Sequence, residues 1–178
     1  MSAAEFPDWE LRQTLKHEFV RGAVFALTGP GPAQVTVALN LALALRQHLR
    51  GSACRMFVSD RMLRVDASDA FLYPDVTVSC SAADAADRLL TRAPLLLAEV
   101  LPAAGAARHA GERFALCRNL PSLREYLLLD PATRRWEVQR RDDDGAWACQ
   151  GFEPAQPLQL ASLGLTLGAA VLWANVAR

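Results

Sequence analysis

Two acidic residues, Asp75 and Glu99, lie in apolar stretches of the chain, where a carboxylate is costly to bury. Asp75 follows a proline and opens the apolar run 75–80, and Glu99 lies near the end of the run 94–101. A buried carboxylate must be hydrogen-bonded, paired with a cation or bound to a metal. If the two runs form antiparallel neighbouring strands, the start of one lies beside the end of the other and both side chains converge. Paired carboxylates at a sheet rim are what a magnesium-dependent phosphodiester hydrolase uses to hold its ion.

Each residue also has an explanation that involves no chemistry. A Pro-Asp pair often starts a strand or a turn, and a buried glutamate is often paired with an arginine. A lysine two residues after the glutamate is expected for such a hydrolase, but position 101 is Leu101. Spacing alone therefore leaves a metal site and a structural ion pair both open.

The elements that must position these residues are strands mixed with a few helices. The run 95–101 is short, continuous and followed by Pro102, which is typical of a buried strand. Residues 18–27 alternate like a hairpin with its turn at Gly22. Further strands are predicted at 54–58, 62–66, 75–80, 126–130, 135–140 and 146–150, and helices at 33–50, 81–92, 106–119 and 169–177. This order predicts one α/β (α+β) sandwich rather than an all-β barrel.

Composition places the chain among compact globular proteins. Its 178 residues are 52% hydrophobic and 21% charged, which favours one compact domain. We place this domain at 18–178, after a short N-terminal leader at 1–17. The formal net charge is zero, so whole-molecule charge gives no support to nucleic-acid binding. The N-terminus does not resemble a signal peptide and no apolar run is long enough to span a bilayer, so we expect a cytoplasmic protein without membrane contact.

The four cysteines favour the same compartment. Cys54, Cys80, Cys117 and Cys149 are widely spaced and form no Cys-x-x-Cys motif. Free thiols in a reducing cytosol are the favoured interpretation.

Several local patterns occur in an order that resembles one family. The series begins with Glu18 and Gly22. In chain order it continues with Asn40-Leu41, Phe57 to Asp60, Tyr73-Pro74-Asp75-Val76, Glu99-Val100-Leu101, the segment 120–130, Trp136-Glu137-Val138 and Arg140-Arg141. This series resembles the Uma family of putative restriction endonucleases, a branch of the PD-(D/E)XK nuclease superfamily. The resemblance covers about residues 18–176. It implies a restriction-endonuclease-like fold, with a central mixed β-sheet flanked by helices.

The resemblance also implies a set of site residues. It assigns binding of magnesium, or manganese, to Asp75 and Glu99, with Glu18 as a further candidate ligand. The family lysine is thought to have moved to the following helix, four residues after an aspartate, and that spacing places both on one helix face. Here His109 stands at the position of the aspartate and Arg113 at that of the lysine.

These two departures bear directly on activity. Arg113 stays protonated at any relevant pH, so it neutralises charge on a phosphate but cannot exchange a proton with water. His109 is either an additional metal ligand or base, or a surface histidine in a decayed site, and the second is favoured. Lys16, the only lysine, is the one other candidate, and it is far away in sequence.

Two functions of different classes follow from this reading. The first is metal-dependent hydrolysis of DNA, with Asp75, Glu99 and Arg113 as catalytic residues of a partly degraded site. The second is a catalytically inactive nuclease-fold module that binds nucleic acid or protein. The arginine pairs 134–135 and 140–141 either touch DNA phosphates or form a solvated hairpin end, and the hairpin is favoured. We also expect a homodimer, because Leu172, Trp173 and Val176 offer apolar surface near the C-terminus.

Overall fold

The strands of this protein pair into two main sheets and a short ribbon. The computed structural model describes residues 1–102 and 106–177, except for the side chains of residues 106–110 and 152. In chain order the strands are β1 (His17–Val20), β2 (Ala23–Ala26), β3 (Arg55–Val58), β4 (Met62–Val65), β5 (Ala70–Leu72), β6 (Val76–Ser79), β7 (Leu90–Thr91), β8 (Pro94–Val100), β9 (Glu125–Asp130), β10 (Arg135–Arg141), β11 (Trp147–Phe152), β12 (Leu158–Leu160) and β13 (Leu165–Leu167). The helices are α1 (Phe6–Glu10), α2 (Pro32–His48), α3 (Ala82–Ala86), α4 (Ala106–Cys117) and α5 (Ala169–Leu172).

The larger sheet has six strands in the order β11-β10-β9-β8-β6-β3, and the smaller has five in the order β2-β1-β5-β4-β7. Strands β8 and β9 are parallel, as are β4 and β7, and the other pairs in these two sheets are antiparallel. The ribbon joins β12 to β13. The predicted mixed sheet flanked by helices is therefore confirmed.

Side-chain alternation along the central strands gives the larger sheet two buried faces. One face packs against α2 and includes Val76 and Ala98, together with Val37, Leu41 and Leu45 of the helix. The opposite face includes Leu97 and Tyr126 and packs against Cys117 of α4 and parts of the smaller sheet. Because successive side chains of a strand point to opposite faces, Glu99 lies on the second face with Leu97, under α4.

The β1–β2 hairpin carries Glu18 to the same region. Its turn residues, Arg21 and Gly22, both have positive φ, as a two-residue turn that matches the strand twist requires. Phe19 of β1 packs with Phe6 of α1 and with Phe71, so the predicted leader contributes to the core. The boundary between 1–17 and 18–178 stays a prediction.

Two predicted helices are shorter than expected. The helix predicted at 81–92 ends at Ala86 and is followed by β7. Its Asp84 is buried and accepts hydrogen bonds from the amides of Arg92 and Ala93, and Arg61 donates to the backbone carbonyls of Asp84, Asp87 and Leu90. These contacts fix the segment in an irregular turn, which the alanine-rich sequence did not reveal.

The helix predicted at 169–177 ends at Leu172. Leu172, Trp173 and Val176 are buried in the core. The surface argument for a homodimer from these three residues is therefore wrong, and the dimer itself stays a prediction.

The prediction of free thiols is wrong for two of the four cysteines. Cys54 and Cys80 are joined by a disulfide. The register Arg55↔Ser79 of β3 and β6 sets positions 54 and 80 opposite each other one step farther along, which brings both thiols together. Cys117 is free and buried, and Cys149 is free and exposed. Within the described residues, no helix has the length and apolar character needed to cross a membrane.

Candidate active site at the rim of the six-stranded sheet

Asp75 directly precedes β6 and Glu99 belongs to β8, and these two strands are antiparallel neighbours. The condition for the two side chains to converge is therefore met. The pair Val76↔Ala98 begins the β6–β8 register, so Asp75 and Glu99 lie opposite each other one step beyond it. One oxygen of Asp75, Oδ2, accepts a hydrogen bond from the backbone amide of Val100 at 2.7 Å. This bond ties the start of one strand to the end of the other and fixes the Asp75 carboxylate at the rim.

Arg113 of α4 reaches down onto this rim. Its Nε and Nη2 donate to the same oxygen of Glu99, Oε1, at 3.1 and 2.9 Å. Its Nη1 donates to Oε2 of Glu18 at 2.5 Å. All three residues are buried, with exposed fractions of 6 to 8%. One guanidinium therefore links a helix to two strands of different sheets.

Tyr73 supplies the backbone groups that complete the cluster. Its amide donates to Oε1 of Glu18 at 2.8 Å, and its carbonyl accepts from Arg113 at 3.5 Å. Tyr73 belongs to the motif that contains Pro74 and Asp75, and no role for it was predicted from the sequence. Because its contribution comes from the backbone, the signal that could have found it was its position next to Pro74-Asp75.

Gln34 at the start of α2 lies behind the same strand end. Its side-chain amide donates to the carbonyl of Val100 at 3.0 Å. Val100 thus donates to Asp75 and accepts from Gln34, so the strand end that carries Glu99 is held from both sides.

Burial dominates the electrostatics of the carboxylates. Desolvation raises the pKa of Glu99 to about 7, against the opposing effect of Arg113, and the charge of Asp75 adds to the rise. Desolvation also raises the pKa of Asp75, although the Val100 amide and Arg113 oppose this. Burial disfavours the charged form of Arg113, but Glu99 and Glu18 raise its pKa well above the usual value. Arg113 therefore stays charged, while Glu99 changes protonation near neutral pH.

The ligand types present fit a divalent cation, but the cluster already contains one cation. Mg²⁺ is bound through one or two carboxylates together with water and phosphate oxygens, and Asp75 and Glu99 supply that number. Both oxygens of Glu18 already accept hydrogen bonds. Among the described residues, no group of three or more His, Cys, Asp or Glu side chains could hold a metal ion. A metal at Asp75 and Glu99 would therefore share Glu99 with Arg113.

Two other predicted features have different outcomes. His109 belongs to α4, but its side chain lies outside the described residues.

The arginines of the two pairs bind protein groups. Arg134 donates to the carbonyl of Val176 and Arg141 to the carbonyl of Leu120, while Arg135 pairs with Glu153 and Arg140 with Glu125. Within the described part of the chain, the four arginines therefore contact protein groups outside 142–144, and not the adjacent aspartates as the favoured interpretation expected.

The chain is similar to two uncharacterized proteins of the cyanobacterium Synechocystis. One, slr1290, is 28% identical over 99% of this chain and 93% of its own length. The other, sll1609, is 30% identical over 83% of this chain and 84% of its own length. The similarity to both extends over most of each chain.

The fold is similar to that of a putative nuclease belonging to DUF820 from Anabaena variabilis. The TM-score is 0.80 over 97% of both chains, at 16% sequence identity. The family model described as "Putative restriction endonuclease" matches residues 3–172, a range that includes Glu18, Asp75, Glu99 and Arg113. The chain belongs to this family, Uma2, of putative restriction endonucleases.

Proposed function

We propose that this protein is a metal-dependent endonuclease-like protein whose site for hydrolysis of DNA phosphodiester bonds is partly degraded. The observation that carries the proposal is the β6–β8 pairing, which sets Asp75 opposite Glu99 with Arg113 directly on Glu99. The family and the fold support the same reaction class. Asp75 and Glu99 would hold magnesium or manganese, which activates water and neutralises phosphate charge when bound.

The residues around the carboxylates have separate roles. The Val100 amide orients Asp75, and Arg113 supplies positive charge for a phosphate. Because a guanidinium does not release its proton, Arg113 cannot act as a general acid or base. Glu99 has a pKa of about 7, so binding of a cation there requires loss of a proton and strengthens as the pH rises.

The second candidate is a catalytically inactive nuclease-fold module that binds nucleic acid or protein. One observation favours it: Arg113 binds both Glu18 and Glu99. The buried carboxylates therefore have a resident counter-charge, and the cluster fastens α4 to β1 and β8 without a further ion. In this reading the residues that once served hydrolysis now serve stability.

Plasmid cleavage in magnesium or manganese separates the two candidates. We expect weak or absent cleavage by the native chain. The double variant Arg113→Lys with His109→Asp should cleave measurably faster, because it restores an exchangeable proton and an aspartate on the same helix face. Adding Asp75→Ala should abolish the gain. Arg46→Lys, the same exchange on an exposed position of α2, is the matched control.

Two results would contradict the proposal. Robust Asp75-dependent cleavage by the native protein would show that the site is not degraded. A folded double variant with no gain would favour the binding module.

DNA is the partner proposed with this function. The cytoplasm stays the proposed compartment, although the Cys54–Cys80 disulfide removes the argument from free thiols. We also propose a homodimer. Its support is a row of exposed apolar side chains, Val35, Leu39 and Leu43 on α2 with Val171 on α5. Light scattering at micromolar concentration tests it, and a monomeric mass would contradict it.

A further inference from the structure

Lys16 lies beside the acidic cluster although it is far from Asp75 and Glu99 in sequence. It directly precedes β1, and its carbonyl accepts a hydrogen bond from the amide of Leu27 at 2.8 Å, which continues the β1–β2 ladder by one pair. Alternate side chains of an extended strand point to the same face. Lys16 is therefore on the same face of the hairpin as Glu18, two positions away.

The ammonium group of Lys16 contacts residues that also contact the cluster. Its Nζ donates to the carbonyl of Ser59 at 3.1 Å and lies 5.4 Å from the centre of the Tyr73 ring. The amide of Ser59 donates to the carbonyl of Asp75 at 3.1 Å, and the amide of Tyr73 donates to Glu18. Lys16 thus shares one neighbour with Asp75 and another with Glu18.

The backbone at Ser59 is held in an unusual conformation at this point. Its φ is +50°, a backbone region that residues other than glycine rarely adopt. Such a residue persists where its surroundings fix it, and such positions concentrate at functional sites. Here the Ser59 amide donates to the backbone carbonyl of Asp75 and its carbonyl accepts from Lys16, so the strained turn links the lysine to the backbone of the aspartate.

Lys16 differs from Arg113 in its access to solvent. Its side chain is 42% exposed and that of its ion-pair partner Asp60 is 84% exposed, whereas the side chain of Arg113 is 10% exposed. Exposed ion pairs between single side chains stabilise a protein little. A phosphate oxygen can therefore replace the Asp60 carboxylate, so Lys16 is a cation that an incoming ligand meets outside the buried cluster.

We propose that Lys16 binds a phosphate of the nucleic-acid backbone next to the phosphate that faces Asp75 and Glu99. This inference rests on the proposed function, since it takes DNA as the ligand. A lysine ammonium contacts phosphate as a point charge and does not read base sequence. Lys16 is thus a residue for binding and positioning DNA, and Asp60 is the group that it leaves when DNA binds.

The test is binding of a short fluorescent DNA duplex, measured by anisotropy from 50 to 200 mM salt with and without magnesium. One phosphate contact contributes about 0.9 to the slope of log K against log salt for duplex DNA. Lys16→Gln should lower the slope by about that amount and weaken binding several-fold at low salt. Lys16→Arg should keep the native slope. Asp60→Asn should strengthen binding, because it removes the competing carboxylate.

Arg46→Gln is the matched control, since it removes one exposed positive charge from α2, on the other face of the sheet. It should leave the slope unchanged, and thermal unfolding should confirm that each variant is folded. If the native chain binds DNA and Lys16→Gln binds with the same affinity and slope, the role of Lys16 is wrong while the nuclease proposal stands. If Lys16→Arg is as weak as Lys16→Gln, the phosphate contact is wrong. If the native chain binds no DNA, both proposals fail.

Discussion

Two buried glutamates on neighbouring strands, Glu99 of β8 and Glu125 of β9, each bind an arginine, but their surroundings differ. Glu125 is fully buried. It accepts hydrogen bonds from Nε of Arg140 at 2.9 Å, from the amides of Ala161 and Ser162 at 3.0 Å each, and from the Ser162 hydroxyl. Within the described residues, every hydrogen bond to Glu99 comes from Arg113.

The difference separates a carboxylate that supports the fold from one that can exchange its partner. Two of the donors to Glu125 are backbone amides of the turn Ala161–Leu163, and the fold fixes these donors in place. The donors to Glu99 belong to one side chain, that of Arg113. Burial of Glu99 is therefore compensated by the charge of a single side chain, which suits a site where a metal cation takes the place of that charge.

The largest expected difference is in how much stability the protein loses when the arginine bound to each glutamate is removed. Arg113→Leu should lower the free energy of unfolding at pH 8 by about 3 to 5 kcal/mol, because two buried carboxylates lose their charge partner. Arg140→Leu should cost about 1 to 2 kcal/mol, since Glu125 keeps three other hydrogen bonds. Urea unfolding measures both. Equal losses would show that Glu99 is supported as redundantly as Glu125.

The sequence was sufficient to predict the pairing of Asp75 with Glu99, but not the contact of Arg113 with Glu18. Asp75 and Glu99 could be paired because Pro74 starts one strand, Pro102 follows the other, and short apolar runs place residues near strand ends. Glu18 and Arg113 are 95 positions apart in sequence. Their contact depends on how α4 and the β1–β2 hairpin pack on the sheet, which side-chain periodicity does not determine.

The same limit explains what was missed elsewhere. The local sequence around each cysteine predicts a free thiol, whereas the disulfide depends on the β3–β6 register. Glu125 lay in a recognised motif, but its partners at 161 and 162 belong to a turn between two short strands that were not predicted. Local patterns therefore give elements and strand ends, and pairing between distant elements needs the packed structure.

The second prediction concerns the pH dependence of stability. Glu99 has a folded-state pKa of about 7, above its ordinary value of 4.5, because of desolvation. The folded state then binds more protons than the unfolded state between these values, so stability falls as the pH rises through this window. The contribution, fully present below about pH 4.5, is up to about 3 kcal/mol and is lost above pH 7. Urea unfolding from pH 4.5 to 8 measures it.

Glu99→Gln should remove most of this fall, because the amide does not titrate. Asp75 adds a smaller loss of stability with rising pH, since desolvation also raises its pKa. Asp143→Asn, which removes an exposed carboxylate, is the control and should leave the native fall in place. Native and Glu99→Gln curves that run parallel from pH 5 to 7 would show that Glu99 is charged throughout and that Arg113 outweighs its burial.

The smallest expected effect tests directly whether the partner of Glu99 is exchangeable. Arg113→Gln keeps a hydrogen-bond donor near Glu99 but removes the positive charge that competes with a divalent cation. Mn²⁺ at tenfold its dissociation constant should then stabilise this variant by about 1.4 kcal/mol, a rise in Tm of about 4 °C for a chain of this length. Thermal unfolding with and without the ion measures the shift, which should be smaller for the native chain and absent when Asp75→Asn is added.

Arg140→Gln makes the same change beside Glu125, where backbone amides occupy the carboxylate, so it should gain no response to Mn²⁺. A similar gain in both arginine variants would mean that removal of any guanidinium bound to a buried glutamate creates an ion site, and the distinction between the two glutamates would fail.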